Sequence, residues 1–291
     1  MSTMSRTNPL QNFFRKPKLS VLLPSRGRWY PKNSLANTTV AVLPMTAADD
    51  LRFKSNEVLL NSVAVTELIQ SCVPDILVPE QMPVVDLDVV LLAIRQASYS
   101  NSIKASVSVP NTSLTLTLDL EIQNLIENFA NAAELWDEQL ILVNDQEEKL
   151  TMMLKPVNLK TMFSATRSLL RQQQATAEIT MSNKQTDEKI AELDDQMKSL
   201  SAVSISMVTD SISEILNDSG LSIKNPGEIR QFLNQLDLAY FRAIQKHIED
   251  QKARIRFKPL EITSTAEQLD AGAPETWSAN IQFNINNFFE S

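Results

Sequence analysis

Glycine, cysteine and histidine are scarce in this sequence, and each shortage excludes a class of functional site. The 291 residues include four glycines, one cysteine and one histidine. Loops that cradle phosphate and turns that present a catalytic serine need glycine, yet none lies between Gly27 and Gly220. One cysteine, Cys72, excludes an internal disulfide and any site built from several cysteines. One histidine, His247, excludes His-rich metal sites.

Long apolar runs are missing as well. No stretch approaches the roughly 20 consecutive apolar residues that a transmembrane helix needs, and no apolar core of a secretory signal follows the first basic residues. Hydrophobic residues nevertheless make up 43% of the chain, enough to bury a core. We therefore expect a folded protein that is made in the cytoplasm and kept there, or in something assembled there.

Acidic residues are absent from the first 48 positions, although the chain as a whole carries a net charge of −8. A positive arm on a negative body favours docking onto an acidic partner or nucleic acid; a solvated tail is the plainer alternative. The body is acidic and has no nucleic-acid-binding motif, so we expect nucleic acid to be an unlikely partner. The basic residues of this segment are Arg6, Arg15, Lys16, Lys18, Arg26, Arg28 and Lys32.

Hydrophobic periodicity predicts an α+β fold, mainly helical, with a β-hairpin and terminal strands. Alternating apolar residues on both sides of Pro110 predict the hairpin, with one face buried. A helix over residues 86–97 is apolar nearly all round, which predicts a buried central element. The predicted segments are a flexible basic arm (1–17), an α+β domain with the hairpin (18–125), a helical region (126–254) and a C-terminal strand segment (255–291).

The stretch between Pro156 and Gly220 contains neither proline nor glycine. One helix from Leu159 to Leu216 would be roughly 87 Å long at 1.5 Å per residue. Because Ser182-Asn183 can end one helix and cap another, a long rod and a helical hairpin both fit. Apolar spacing of three and four residues predicts a helix-packing seam at Ile190, Leu193, Met197, Leu200, Ser204 and Met207.

Two further patterns complete the prediction. A helix is expected from Glu228 to about Arg254, and alternation from Trp277 to Ile285 predicts a strand.

No catalytic, cofactor or metal site is predicted. His247 lacks a nucleophile nearby in the sequence, and Cys72 lies on an apolar helix face, as structural cysteines do. Asp86 and Asp88 lack the other ligands and the glycine of a calcium loop, and compensation of the helix dipole explains them better. Nor does the chain show the carboxylate pair or zinc motif of a peptidoglycan hydrolase. We therefore expect a protein that is not an enzyme.

Aromatic and arginine side chains near the two ends are the predicted contact residues, because such side chains dominate protein interfaces. The N-terminal set is Arg15, Lys16, Arg26, Arg28, Trp29 and Tyr30, and the C-terminal set is Trp277, Phe283, Phe288 and Phe289.

Nine short blocks follow one another along the chain, and their order matters more than any one of them. The blocks are NPLQNFFRKPK (8–18), LPSRGRWYP (23–31), MTAADD (45–50), IQSCVPD (69–75), AIRQASY (93–99), MVTDSI (207–212), EIRQFLNQLD (228–237), AGAPE (271–275) and the terminal NNFF. In this order they resemble the baseplate hub subunits of T-even-like myoviruses, in particular the versions from marine and cyanobacterial phages. The chain has Ser100 where relatives often have glycine, a departure that bears on the bend before the hairpin.

The resemblance implies a structural virion protein in a contractile-tail baseplate, assembled in the host cytoplasm. It implies binding to other hub, tube or wedge proteins, in several copies and without a cofactor. The alternative that we weigh is a hub assembly chaperone, which would be absent from the finished particle or present there in less than stoichiometric amounts.

Overall fold

The computed structural model describes residues 13–54, 62–129, 132–181, 186–255 and 258–281. Helices predominate, and several small antiparallel sheets lie among them, which confirms the α+β prediction. The strands are β1 (Leu19–Leu22), β2 (Thr39–Val42), β3 (Ser102–Ser108), β4 (Thr115–Glu121), β5 (Gln139–Val143), β6 (Lys149–Leu154), β7 (Ile212–Asn217), β8 (Ser222–Ile223), β9 (Leu260–Thr263) and β10 (Thr276–Ala279). The helices are α1 (Ala47–Lys54), α2 (Ser62–Cys72), α3 (Leu87–Ser98), α4 (Ile122–Phe129), α5 (Leu159–Met181), α6 (Thr186–Ser211), α7 (Pro226–Gln235), α8 (Leu238–Ile255) and α9 (Ala266–Asp270).

Helix α3 is the centre of the first hydrophobic core. Its residues from Val89 to Ile94 are fully buried, which confirms the prediction of a helix enclosed nearly all round. The β1–β2 pair, α2, α4 and the first turns of α5 pack around it. Leu159 and Phe163 of α5 belong to this core. The core therefore combines residues from two of the predicted segments, 18–125 and 126–254.

The predicted β-hairpin is present as β3 and β4. Ile103 pairs with Leu120 and Val107 with Leu116, so the apolar side chains share one face, as the alternation indicates. Near the tip of the hairpin this face packs against the β9–β10 pair and Trp277. The tip and the C-terminal strands thus form a small core of their own.

A four-stranded sheet, β5-β6-β7-β8, lies in the region that the sequence predicted as helical. Helices α7 and α8 and the end of α6 cover it and complete the second core. Apolar residues occupy consecutive positions in β5 and β6, as in Leu140–Val143, which hides the period of two. Strand β7 directly follows α6 with no proline or glycine at the junction, so the prediction extended the helix to Leu216, whereas it ends at Ser211.

Helix α8 contacts the outer edge of β5 at the last residue of the strand and at a residue just before the strand begins. The Tyr240 hydroxyl donates to the backbone oxygen of Val143 at 3.1 Å, and a ring nitrogen of His247 lies 3.1 Å from the backbone oxygen of Asp137. The side-chain oxygen of Gln251 accepts from the backbone N–H of Asp137 at 2.9 Å. These contacts satisfy backbone groups that an edge strand otherwise leaves unpaired.

Helices α5 and α6 form a hairpin, so the second of the two alternatives for the central stretch is confirmed. The Thr161 hydroxyl, in the first turn of α5, donates to Asp210 in the last turn of α6 at 2.8 Å, which requires the helices to run antiparallel. The predicted connection at Ser182-Asn183 lies outside the described residues.

The helix predicted from Glu228 to Arg254 is divided in two at Leu236 and Asp237. Asp237 accepts a hydrogen bond from the backbone N–H of Ala239 at 2.7 Å, the contact of an N-cap, and so begins α8. The predicted C-terminal strand is present in part as β10, which ends at Ala279, and the predicted residues beyond Ile281 lie outside the described residues.

We predict that Asp237→Ala lowers the free energy of unfolding by about 1 kcal/mol, because it removes this cap. Asp237→Asn keeps an acceptor oxygen and is the matched control. Chemical denaturation of both variants would measure the difference. Equal losses in the two variants would show that the cap does not contribute.

Candidate interface

The turn over residues 25–30 carries four of the predicted contact residues and is anchored by one buried carboxylate. Asp86 is fully buried and accepts hydrogen bonds from the Ser25 backbone at 2.7 Å and the Ser25 hydroxyl at 2.6 Å. Arg26 and Gly27 have φ values of 47° and 76°, a left-handed pair that glycine makes possible at the second position. The turn is therefore held on the first residues of α3.

From the sequence, Asp86 is interpreted as a residue that compensates the dipole of α3. In the structure its side chain also makes a second kind of contact. Asp86 occupies the N-cap position of α3, but its side chain makes no capping hydrogen bond and reaches Ser25 instead. Burial raises the pKa of Asp86 to about 6, although the hydrogen bonds from Ser25 oppose the shift. The Tyr30 hydroxyl is buried nearby without a hydrogen bond of good geometry, and burial and the Asp86 charge raise the pKa of Tyr30.

Arg28 and Trp29 join this turn to the segment before β5. The Trp29 indole N–H donates to Glu138 at 2.8 Å, and the Arg28 guanidinium lies 2.9 Å from the same carboxylate oxygen. Trp29 also meets Trp136 edge to face, with ring centroids 5.8 Å apart. Arg26 lies 3.5 Å from Glu134. The structure thus places these predicted contact residues in an intramolecular bridge, and their contact with a partner stays a prediction.

Arg15 is likewise held within the chain. Its guanidinium donates to the backbone oxygens of Pro44 and Ser71 at 3.0 and 2.8 Å and lies 3.5 Å from Asp49. Burial alone would raise the pKa of Asp49, but hydrogen bonds from Thr46 and Ser71, together with the Arg15 charge, hold it below the ordinary value. Arg15 therefore fastens the N-terminal segment to α1 and α2.

The other terminal residues divide into three groups. Lys16 is exposed, and beside it Phe13 and Phe14 are largely exposed. Trp277 is buried in the small third core, where it packs within this chain. Phe283, Phe288 and Phe289 lie outside the described residues. Of the predicted residues that the structure describes, Lys16 is thus the most clearly available to a partner.

A cleft of about 680 Å³ opens between Trp29 and the α5–α6 hairpin. Small side chains from both helices, including Ser164, Ser168 and Ser206, form its floor. Its cations are Lys155, Lys160 and Arg230. Arg230 is far from the two lysines in the sequence, so no local sequence pattern could have brought the three together. Asp210, which accepts from Thr161, is the acidic residue of the lining. The cleft is open, polar and mostly positive, which suits an extended acidic segment.

The remaining candidates for chemistry serve packing. Cys72 is fully buried, and burial together with the charge of Asp49 raises the pKa of its thiol to about 11, although Arg15 lies close by. His247 contacts the backbone of Asp137. The described residues contain no group of three or more potential metal ligands, and no described helix combines the length and apolar character needed to cross a bilayer.

We predict that Asp86 makes folding pH-dependent between about pH 4 and 6. The folded protein binds this proton more tightly than the unfolded chain, so the associated stability is present below pH 4 and is lost as the pH rises through about 6. As the pH is lowered from 7 to 4, the free energy of unfolding of the wild type should rise by roughly 3 kcal/mol relative to that of Asp86→Asn, at 1.36 kcal/mol per pKa unit. Urea unfolding of both proteins at several pH values measures this difference. A difference that does not change with pH would contradict it.

Comparison with known proteins identifies the family. A family model described as T4 bacteriophage base plate protein matches residues 42–265. No curated protein and no solved structure matches the chain significantly. The matched range includes α3, Glu138, the α5–α6 hairpin and the four-stranded sheet, whereas Arg28 and Trp29 precede it. The matched residues make up most of the chain. The protein is therefore a structural component of the phage tail baseplate, and its partners are other baseplate proteins. The chain belongs to the T4 bacteriophage base plate protein family.

Proposed function

We propose that this protein is a non-enzymatic subunit of the central baseplate hub of a contractile, T-even-like tail. In this role it links hub, tube or wedge proteins, is present in several copies and joins the particle in the host cytoplasm. The ordered sequence blocks that resemble hub subunits of marine and cyanobacterial phages support the hub assignment.

The cleft between Trp29 and the helical hairpin is the observation that carries the linking role. It presents Lys155, Lys160 and Arg230 on the surface of a chain whose net charge is −8. Concentrated positive charge on an acidic protein favours an acidic segment of a neighbour and disfavours general association. The bridge from Trp29 to Glu138 fixes one wall of the cleft before a partner arrives.

A structural role also fits the chemistry of the buried polar groups. Asp86 and Tyr30, whose pKa values are strongly raised, lie inside the first core and hold a turn in place. Buried carboxylates with raised pKa values can serve catalysis when they face a cleft. Here the hydrogen bonds of Asp86 are made to Ser25, which supports a role in folding.

Quantitative mass spectrometry of purified particles tests the hub proposal. We expect a fixed integral ratio to the tail-tube and hub proteins, such as three or six copies per tail. Its absence from finished particles, together with its presence in assembly intermediates, would instead favour the assembly chaperone.

We predict that Lys160→Glu with Arg230→Glu lowers incorporation into particles several-fold, because the reversed charges repel an acidic segment. Both residues are exposed, so we expect the thermal unfolding curve to stay within the range of the wild type. Lys246→Glu, an exposed charge reversal on α8 away from the cleft, is the control. Normal incorporation of the double variant would exclude the cleft as the docking site.

A further inference from the structure

A stripe of apolar residues on α6 is only partly buried in this chain. Met197 is 67% exposed, Leu200 is 39% exposed and Leu193 is half-buried. The spacing of these residues predicted a helix-packing seam. At 3.6 residues per turn, Asp210, which bonds to α5, lies roughly a quarter-turn away from the stripe around the axis of α6. The stripe is therefore a helix-packing surface that the fold covers only in part.

The stripe lies on one flank of the α5–α6 hairpin. The clefts beside the hairpin are lined by Ser164 and Ser168 of α5, and neither lining includes Leu193, Met197 or Leu200. Thr161 of α5 lies beside Asp210 of α6, and the two helices run antiparallel. Leu169 of α5 therefore lies at about the same height along the hairpin as Leu200 of α6. Leu169 is itself 40% exposed. Both helices thus contribute large apolar side chains to exposed positions at this level.

The order of residues along the stripe is self-complementary. Leu193 and Leu200 stand at equal distances on either side of the midpoint between Gln196 and Met197. Asp194 and Lys198 stand on opposite sides of that level, within one turn of it and on the same rim of the helix. Within one chain this exposed pair is 2.7 Å apart. A twofold axis through this level would set Leu193 against Leu200 and Asp194 against Lys198 of a second copy.

We propose that α6 binds antiparallel to α6 of a second copy of this chain through the stripe Leu193, Met197 and Leu200. Copies with a net charge of −8 repel each other in general, so they can meet closely only where the surface is uncharged or its charges alternate in sign. The stripe itself is uncharged. On its rim, Asp194 of each copy would lie opposite Lys198 of the other copy. A twofold contact of this kind uses the same patch on both copies.

Disulfide cross-linking of the full-length protein tests the arrangement. Leu193→Cys and Leu200→Cys are made separately and carry different tags, and Cys72 is fully buried, which limits background reaction. We expect a cross-linked pair when the two variants are mixed under mild oxidation, and little when either is oxidised alone. Asp195→Cys, exposed on another face of α6, is the control and should not cross-link to any variant.

The association itself is measured by analytical ultracentrifugation of the same protein. Met197→Glu with Leu200→Glu should raise the Kd of the dimer by about tenfold or more, as loss of central contacts does. Gln174→Glu with Ala191→Glu adds the same charge at exposed positions off the stripe and should have little effect. Asp194→Lys and Lys198→Asp should each weaken the dimer, and the double variant Asp194→Lys/Lys198→Asp should restore it.

Three outcomes would overturn the proposal. They are a wild-type protein that stays monomeric at high concentration, a dimer that persists in Met197→Glu/Leu200→Glu, and cross-linking of each cysteine variant with itself, which would indicate a parallel arrangement. Circular dichroism of each variant separates a lost interface from lost folding. The test needs only the purified chain, so it is independent of the proposed hub function.

Discussion

A carboxylate inside a hydrophobic core must be hydrogen-bonded, because an unpaired buried charge costs several kcal/mol. In this protein Asp86 meets that requirement with Ser25, and the need for these two hydrogen bonds fixes the turn over residues 25–30 against α3. Once the turn is fixed, Trp29 and Arg28 reach Glu138, which leads directly into the four-stranded sheet. The buried acid thus helps to position the second core relative to the first, together with the α5–α6 hairpin, which has residues in both cores.

The same bridge bears on the linking role that we propose. A subunit with that role has to present its surfaces in a fixed relation, and here the wall of the cleft at Trp29 is tied to both cores. The α5–α6 hairpin begins in the first core at Leu159 and returns to the second at Val208. The middle of α6 carries the partly exposed stripe, so the cleft and the stripe lie on one continuous element.

Local patterns in the sequence identified the elements whose apolar spacing is unambiguous. The alternation through Ile103 and Leu120 predicted the β3–β4 hairpin, and the all-apolar stretch around Leu91 predicted the buried helix α3. The sheet formed by β5 to β8 could not be predicted in this way, because consecutive apolar residues in Leu140–Val143 fit either a strand or a helix. The contacts of Arg15 and Arg28 depend on residues far away in the chain. The sequence predicted these arginines as contacts to a partner protein, and it could not show that Asp49 and Glu138 bind them within the chain.

The contacts between α8 and the edge of β5 affect how this protein can be stored and assembled. An open strand edge recruits any other strand, and proteins that must wait at high local concentration for their neighbours risk growing into fibres by that route. With Val143 and Asp137 already bonded to α8 side chains, that side of the sheet is blunted. A strand that added along that edge would have to displace these contacts with α8, so this side of the sheet disfavours strand-to-strand growth.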